Sequence, residues 1–183
     1  MWSIARARPE DAPSIVELSE QLAITALPAE RREAIGFLVS GYGADVYRNW
    51  AYRSCSFLIA RESGTLAGFL LSYPFCLVDQ GDTFNRTVRT ELLPTWRDDQ
   101  ITIIKQIAIG PAYARQGIAR HLYLHLLHML PQDSCVFGAI VEKPHNPASE
   151  GFHTALNFRR IGALEAQDGR LRGIWFRRVD QRG

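Results

Sequence analysis

The stretch ITIIKQIAIGPAYARQGIARHLYLHLLHML, Ile101–Leu130, decides the fold. Ile101–Ile109 is rich in β-branched residues and closes on Gly110-Pro111, which reads as a strand meeting a turn. From about Gln116 to Leu130 the period changes. Ile118, Leu122, Leu126 and Met129 recur three and four apart, an amphipathic helix that stops before Pro131. A strand that passes through an Arg- and Gly-bearing loop straight into a helix builds an anion site. The first backbone N–H groups of the helix have no partner within it, and the positive end of its dipole lies there. Gly117 lets the backbone approach a phosphate without a Cβ in the way, Ala119 keeps the next turn small, and Arg115 and Arg120 add charge. Taken alone, R-Q-G-I-A is read equally well as a plain helix start with a solvated arginine.

Outward from this stretch, Cys135–Val141 is a second apolar strand, so strand, helix and strand form a crossover. Ala148–Leu156 is a short helix behind the proline-punctuated Pro144–Pro147. Arg160–Leu164 and Gly173–Arg178, joined through Asp168-Gly169, form a closing pair of strands. Upstream, Trp2–Ala7 alternates as a strand before Pro9–Pro13 opens a helix carrying Ile15, Leu18 and Leu22. Helical stretches follow at Ala29 to about Val39 and at Ala44–Arg53, whose Tyr47 and Trp50 fit a core better than a groove. Phe57–Ala60 and Leu66–Tyr73 flank a tight turn as a hairpin. Asp79–Asp99 has no clean period and reads as a lid or surface excursion. The fold class is therefore α/β, with a mixed, mostly antiparallel sheet of about six to seven strands flanked by helices. No repeat or composition shift divides the chain, so one domain over residues 1–183 is expected.

Composition narrows the function classes. With 46% hydrophobic residues the chain has enough apolar material for a full core, and 21 Lys+Arg against 19 Asp+Glu leave a formal net charge of +2. That balance argues against a protein that coats nucleic acid or an anionic membrane, since those partners demand a large positive excess. Cys55, Cys76 and Cys135 are odd in number, widely spaced and set among apolar or small residues. They read as buried reduced thiols rather than a disulfide framework or a zinc site. No apolar run approaches the about 18 residues of a membrane span, and MWSIARARPEDAP lacks a signal-peptide core. A cytoplasmic protein is the expectation.

Ile101–Leu130 resembles the acetyl-CoA-binding motif of the GNAT N-acyltransferase superfamily: a strand, Arg/Gln-x-x-Gly-x-Gly/Ala, then a helix. Gly117 and Ala119 match its small positions; Ala114 stands where the family usually has Arg or Gln, with Arg115 one residue on. Downstream, Asn146-Pro147-Ala148-Ser149-Glu150-Gly151-Phe152-His153-Thr154-Ala155-Leu156-Asn157-Phe158 is similar to the family's Asn-x-x-Ala/Ser … Tyr/His … Leu-Gly-Phe signature. Asn146, Ser149, His153, Leu156 and Phe158 fall in register, and Asn157 replaces Gly at a turn where Asn is the best non-glycine substitute. The opening IARARPEDAPSIVEL is also like the family's first strand and helix.

The resemblance implies an acetyl-CoA-dependent N-acetyltransferase that transfers acetyl to a primary amine of a small molecule or amino acid by direct attack. A non-catalytic acyl-CoA-binding sensor on the same fold is the rival. It also implies that Ile107, Ala108 and Ile109 take the pantetheine arm, and that Arg115, Gln116, Gly117, Ile118, Ala119 and Arg120 take the pyrophosphate. Asn146 and Ser149 would touch the cofactor, and His153 would stand at the proton donor's position, where a neutral pKa suits the task. For a general base the sequence offers only Lys105, which would need burial, Gln106, and the carboxylates Glu91, Asp98, Asp99 and Glu142, each read first as a structural charge. His121, His125 and His128 share a helix face without the further ligand a zinc site needs, so no metal is expected. Arg159-Arg160 and Arg177-Arg178 read as a solvated edge. The expected partner is a small-molecule amine, with neither nucleic acid nor membrane, and a homodimer is left open.

Overall fold

Residues 2–179 are described by the computed structural model of the chain. They fall into two compact units, one holding residues up to Tyr73 together with Lys105–Met129, the other Pro74–Ile104 with the residues from Leu130 on.

In the first unit, β1 (Trp2–Arg6) runs antiparallel to β2 (Leu58–Glu62), which runs antiparallel to β3 (Thr65–Pro74). The β2–β3 turn is Ser63-Gly64, both at positive φ, the two-residue geometry whose twist matches the flanking strands. Helix α1 (Ala12–Gln21) buries Ile15 and Leu18, and α3 (Ala44–Arg53) buries Tyr47 and Ala51. Tyr47, Phe57 and Phe69 form the aromatic centre of this core, with ring centroids 5.9 to 6.3 Å apart. Helix α2 is shorter than its apolar pattern suggests. It spans Ala29–Ile35 and ends at Gly36, whose φ of 76° breaks the helix before Val39. Buried Asp11 accepts the Arg8 N–H at 2.7 Å and pairs with Arg61 of β2, tying the start of α1 to the sheet.

Strand β4 (Ile101–Ile109) runs through both units. Its second half lies close against β3: a Cβ on Gly68 would stand 2.8 Å from the Ala108 carbonyl oxygen and 2.5 Å from Ile109 Cδ1. Only glycine permits that approach. The Gly110 N–H closes the contact on the Ala67 carbonyl at 2.8 Å. Helix α5 (Ile118–Met129) then buries Ile118, Leu122, Tyr123, Leu126 and Leu127, each contributing about 1.5–3 kcal/mol for the larger side chains.

In the second unit, Ile101–Ile104 pairs in parallel with Cys135–Gly138 of β5 (Ser134–Val141). β5 is buried along nearly its whole length, as a central strand should be. It runs antiparallel to β7 (Leu171–Val179), which is antiparallel to β6 (Arg159–Glu165). The Asp168-Gly169 turn forms where the sequence places it. Arg172 and Arg170 bond the Asp168 carboxylate and hold it well below the usual carboxylate range. The strand order β1-β2-β3-β4-β5-β7-β6, antiparallel except at β4–β5 among the described pairings, is the mixed sheet expected.

Asp79–Asp99, which has no period in sequence, is built from short turns that satisfy themselves. Helix α4 (Thr83–Thr87) is capped by the Asp82 carboxylate, which accepts the Asn85 N–H at 3.0 Å. Arg86 donates to the carbonyls of Val78 and Asp79, Arg89 bonds Asp98 at 2.8 Å, and Leu92 packs on Gly162 of β6. Cys55 and Cys76, expected buried, are exposed. They occupy the turns at the end of α3 and after β3, so their apolar neighbours belong to the adjoining strands. Cys135 alone is buried, and burial pushes its thiol up to about 12.

Gly68→Ala forces β3 and β4 apart and should cost about 1–3 kcal/mol. A fall in Tm of at least about 3 °C, read by calorimetry, is the expected result.

Candidate functional site

Between β4 and α5 the chain makes one 3-10 turn, Pro111–Tyr113, and then crosses into left-handed space twice, at Arg115 (φ 66°) and Gly117 (φ 81°). Left-handed residues alternating with ordinary ones turn consecutive N–H groups toward one side, a concavity that favours anions. Arg115, Gln116 and Gly117 are exposed, while Ile118 is buried and anchors the first turn of the 12-residue helix α5. Ala119 is half-buried and Arg120 exposed. The residues assigned to pyrophosphate thus share one loop and one helix terminus, with two guanidinium groups and the dipole adding positive potential. On β4, Ile107 and Ile109 are half-exposed and alternate with buried Gln106 and Ala108.

Gln106 is committed to a network that crosses the first unit. Its Nε2 donates to the Ser40 carbonyl at 2.8 Å and its Oε1 accepts from the Tyr47 hydroxyl at 2.9 Å. Both halves of the amide are used, so the residue holds the segment before α3 against the strand and supplies no base. Burial raises the Tyr47 pKa, keeping the phenol protonated. Lys105 is exposed, so the burial that would make it a base is absent.

In the second unit, α6 (Pro147–Ala155) carries the downstream motif. Asn146 is buried and caps this helix, its Oδ1 accepting the Ser149 N–H at 3.2 Å. Asn157 takes φ 59°, the left-handed conformation the sequence requires of it. His153 is 2% exposed, and its Nδ1 lies 2.7 Å from the Ser149 carbonyl oxygen. A carbonyl only accepts, so Nδ1 carries the proton. The ring meets Phe152, Phe158 and Trp175 at centroid distances of 5.6, 5.2 and 6.2 Å. Burial lowers its pKa to about 4, so the imidazole is neutral at pH 7. The near-neutral titration on which the sequence reading of His153 relied is removed by this environment.

Of the remaining candidates, three carboxylates are paired with arginines. Asp98 pairs with Arg89 at 2.8 Å, Asp99 with Arg97 at 3.0 Å, and Glu142 with Arg160 at 2.5 Å, while Glu91 is exposed. His121 bonds the Gly117 carbonyl, and among the described residues no group of three or more His, Cys, Asp or Glu is arranged to hold a metal. Arg159 lies over the Phe176 ring, Arg177 donates to the Leu156 carbonyl, and Arg178 bonds Asp133. No helix among the described residues is long and apolar enough to cross a membrane. Two features escape the sequence reading: the Ser40–Gln106–Tyr47 network, whose members are up to 66 positions apart, and the contact of His121 with Gly117, which helical spacing alone does signal.

Residues 25–158 match the model of the acetyltransferase (GNAT) family. No curated protein matches the chain. Among solved structures, the ribosomal-protein-S18-alanine N-acetyltransferase from Escherichia coli is 17% identical, covering 100% of this chain and 97% of its own, with a TM-score of 0.63. The PaiA N-acetyltransferase from Thermoplasma acidophilum, in complex with coenzyme A, is 15% identical over 97% and 99% of the chains, with a TM-score of 0.63. Diaminobutyrate acetyltransferase EctA from Paenibacillus lautus, in complex with L-2,4-diaminobutyric acid and coenzyme A, is 14% identical over 96% and 93%, with a TM-score of 0.60. These likenesses are of fold.

Two outcomes follow from the polar interior. Because the folded pKa of His153 lies below its ordinary value, the unfolded chain takes up that proton first. Stability should therefore fall as pH drops from about 6.5 toward 4, by up to about 1.4 kcal/mol per unit. Thermal melts across this range should show the component in the wild type and lose it in His153→Phe. Gln106→Glu sets a carboxylate against the Ser40 carbonyl and should cost about 1–3 kcal/mol at neutral pH. Part of that loss should return on acidification, as the protonated acid regains a donor, and the same melts measure it.

Proposed function

The chain belongs to the acetyltransferase (GNAT) family, and on that premise we propose that it is an N-acetyltransferase that moves an acetyl group from acetyl-CoA to the primary amine of a small molecule or amino acid. The observation that carries the reading is the β4–α5 junction: exposed Arg115 and Gly117, both left-handed, at the start of a 12-residue helix. It suits a pyrophosphate, a compact dianion that asks for local positive potential and not for a basic protein. A diaminobutyrate acetyltransferase and a protein-alanine N-acetyltransferase among the structural likenesses support an amine acceptor.

In the proposed reaction Arg115, Gln116, Gly117, Ile118, Ala119 and Arg120 hold the pyrophosphate through backbone N–H groups and the two guanidinium groups. The exposed sides of Ile107 and Ile109, with Ala108 between them, offer backbone to the pantetheine arm. The neutral amine attacks the thioester carbon. A C–N bond forms, the C–S bond breaks, and the sulfur leaves with the electron pair and takes up the proton the amine nitrogen sheds. No covalent enzyme intermediate is needed; Cys55, Cys76 and Cys135 lie outside both motifs. Asn146 and Ser149 contribute by fixing the start of α6. His153 is assigned to the same task, since a buried neutral ring bonded to Ser149 orders that helix.

One observation favours the second reading, an acyl-CoA-binding module without turnover: Asp98, Asp99 and Glu142 are paired with arginines, and Gln106 is bonded to Ser40 and Tyr47. Acetyl-CoA should raise the wild-type Tm, and Gly117→Glu should abolish the rise by strain and by a negative charge in the loop. Release of free CoA, followed with a thiol reagent across a panel of primary amines, separates enzyme from binder. A wild-type protein that does not bind CoA overturns both readings.

A further inference from the structure

Nothing in the reading above uses Trp2 or His121, yet the two converge on the loop. The Gly117 carbonyl oxygen accepts two hydrogen bonds from one residue, the His121 backbone N–H at 3.0 Å and the His121 ring Nδ1 at 2.9 Å. The first is the opening bond of the helical ladder; the second is an addition that only this side chain supplies. The ring lies directly beneath the glycine, since a Cβ on Gly117 would stand 3.6 Å from Nδ1 and 3.7 Å from Cε1. Trp2 of β1 meets the same ring edge-on, with centroids 4.7 Å apart and planes at 68°. The exposed imidazole is therefore held by two contacts, the Gly117 carbonyl and the Trp2 ring.

The Gly117 carbonyl and the Ile118 N–H belong to one trans peptide plane and point in opposite directions. Fixing the carbonyl fixes the N–H. Glycine at φ 81° is the loop residue with most freedom to rotate that plane, so it is the point where preorganisation has most to gain.

We propose that His121 is a positioning residue for the anion loop: its ring, steadied by Trp2, locks the Gly117–Ile118 peptide so that the Ile118 N–H stays turned toward the bound pyrophosphate. The inference rests on the acetyl-CoA reading of that loop.

The test uses the full chain and two probes, CoA by isothermal titration and S-acetylpantetheine, which lacks the pyrophosphate, by ligand-observed NMR. His121→Phe keeps a ring against Trp2 but removes the donor, and should raise the Kd for CoA by about three- to tenfold. The Kd for S-acetylpantetheine should stay at the wild-type value. His121→Asn, which restores an N–H at the Nδ1 position, should return CoA binding to within about twofold of wild type. Trp2→Leu releases the ring and should weaken CoA in the same selective way. A His121→Phe protein that binds CoA like the wild type, weakens both probes alike, or is matched in its loss by His121→Asn overturns the proposal. Failure of the wild type itself to bind CoA would instead remove the functional reading beneath it.

Discussion

The passage from β4 into α5 through two left-handed residues is the constraint on which the rest depends. Arg115 pays a backbone cost there that glycine avoids, and the turn holds because both of its ends are fixed. At one end, Gly110 bonds Ala67 and Gly68 lets β3 close on β4; at the other, Ile118 and Leu122 are buried and the Gly117 carbonyl is doubly bonded by His121. A loop so anchored needs little rearrangement to present its N–H groups, and the energy of binding an anion is not spent on ordering the backbone.

Polar groups inside this protein are largely committed to structure. Gln106 bonds Ser40 through its amide N–H and Tyr47 through its amide oxygen, Asn146 caps α6, and His153 faces the Ser149 carbonyl from among aromatic rings. The carboxylates of Asp98, Asp99 and Glu142 are held by arginines. Acyl transfer tolerates this economy, because a thioester is already activated and an amine that arrives neutral needs no strong base. What such a reaction asks of the protein is placement, and placement is what these bonds provide.

Much of the fold and of the candidate site is legible in the residues. Ile101–Ile109 and Ile118–Met129 announce strand and helix by period, and Gly117 and Asn157 announce left-handed turns by residue type. Those signals are local: they depend on neighbours within one helical turn or one strand. The misreadings have a common cause. Cys55 and Cys76 borrow the apolar look of strands they do not belong to, and Val39 lies beyond a Gly36 that stops its helix. The excursion at 79–99 has no period because caps and arginine bonds, and not an apolar face, hold it.

The sequence by itself determined the order of elements, the mixed sheet and the left-handed loop between β4 and α5, because each follows from periodicity and from the conformational range of Gly, Pro and Asn. The tertiary structure alone decided which polar residues are used up. Burial lowered the pKa of His153, and residues from other parts of the chain closed on Gln106 and Glu142. Desolvation and hydrogen-bond partnership depend on neighbours in space, and a linear sequence specifies those only once it has folded.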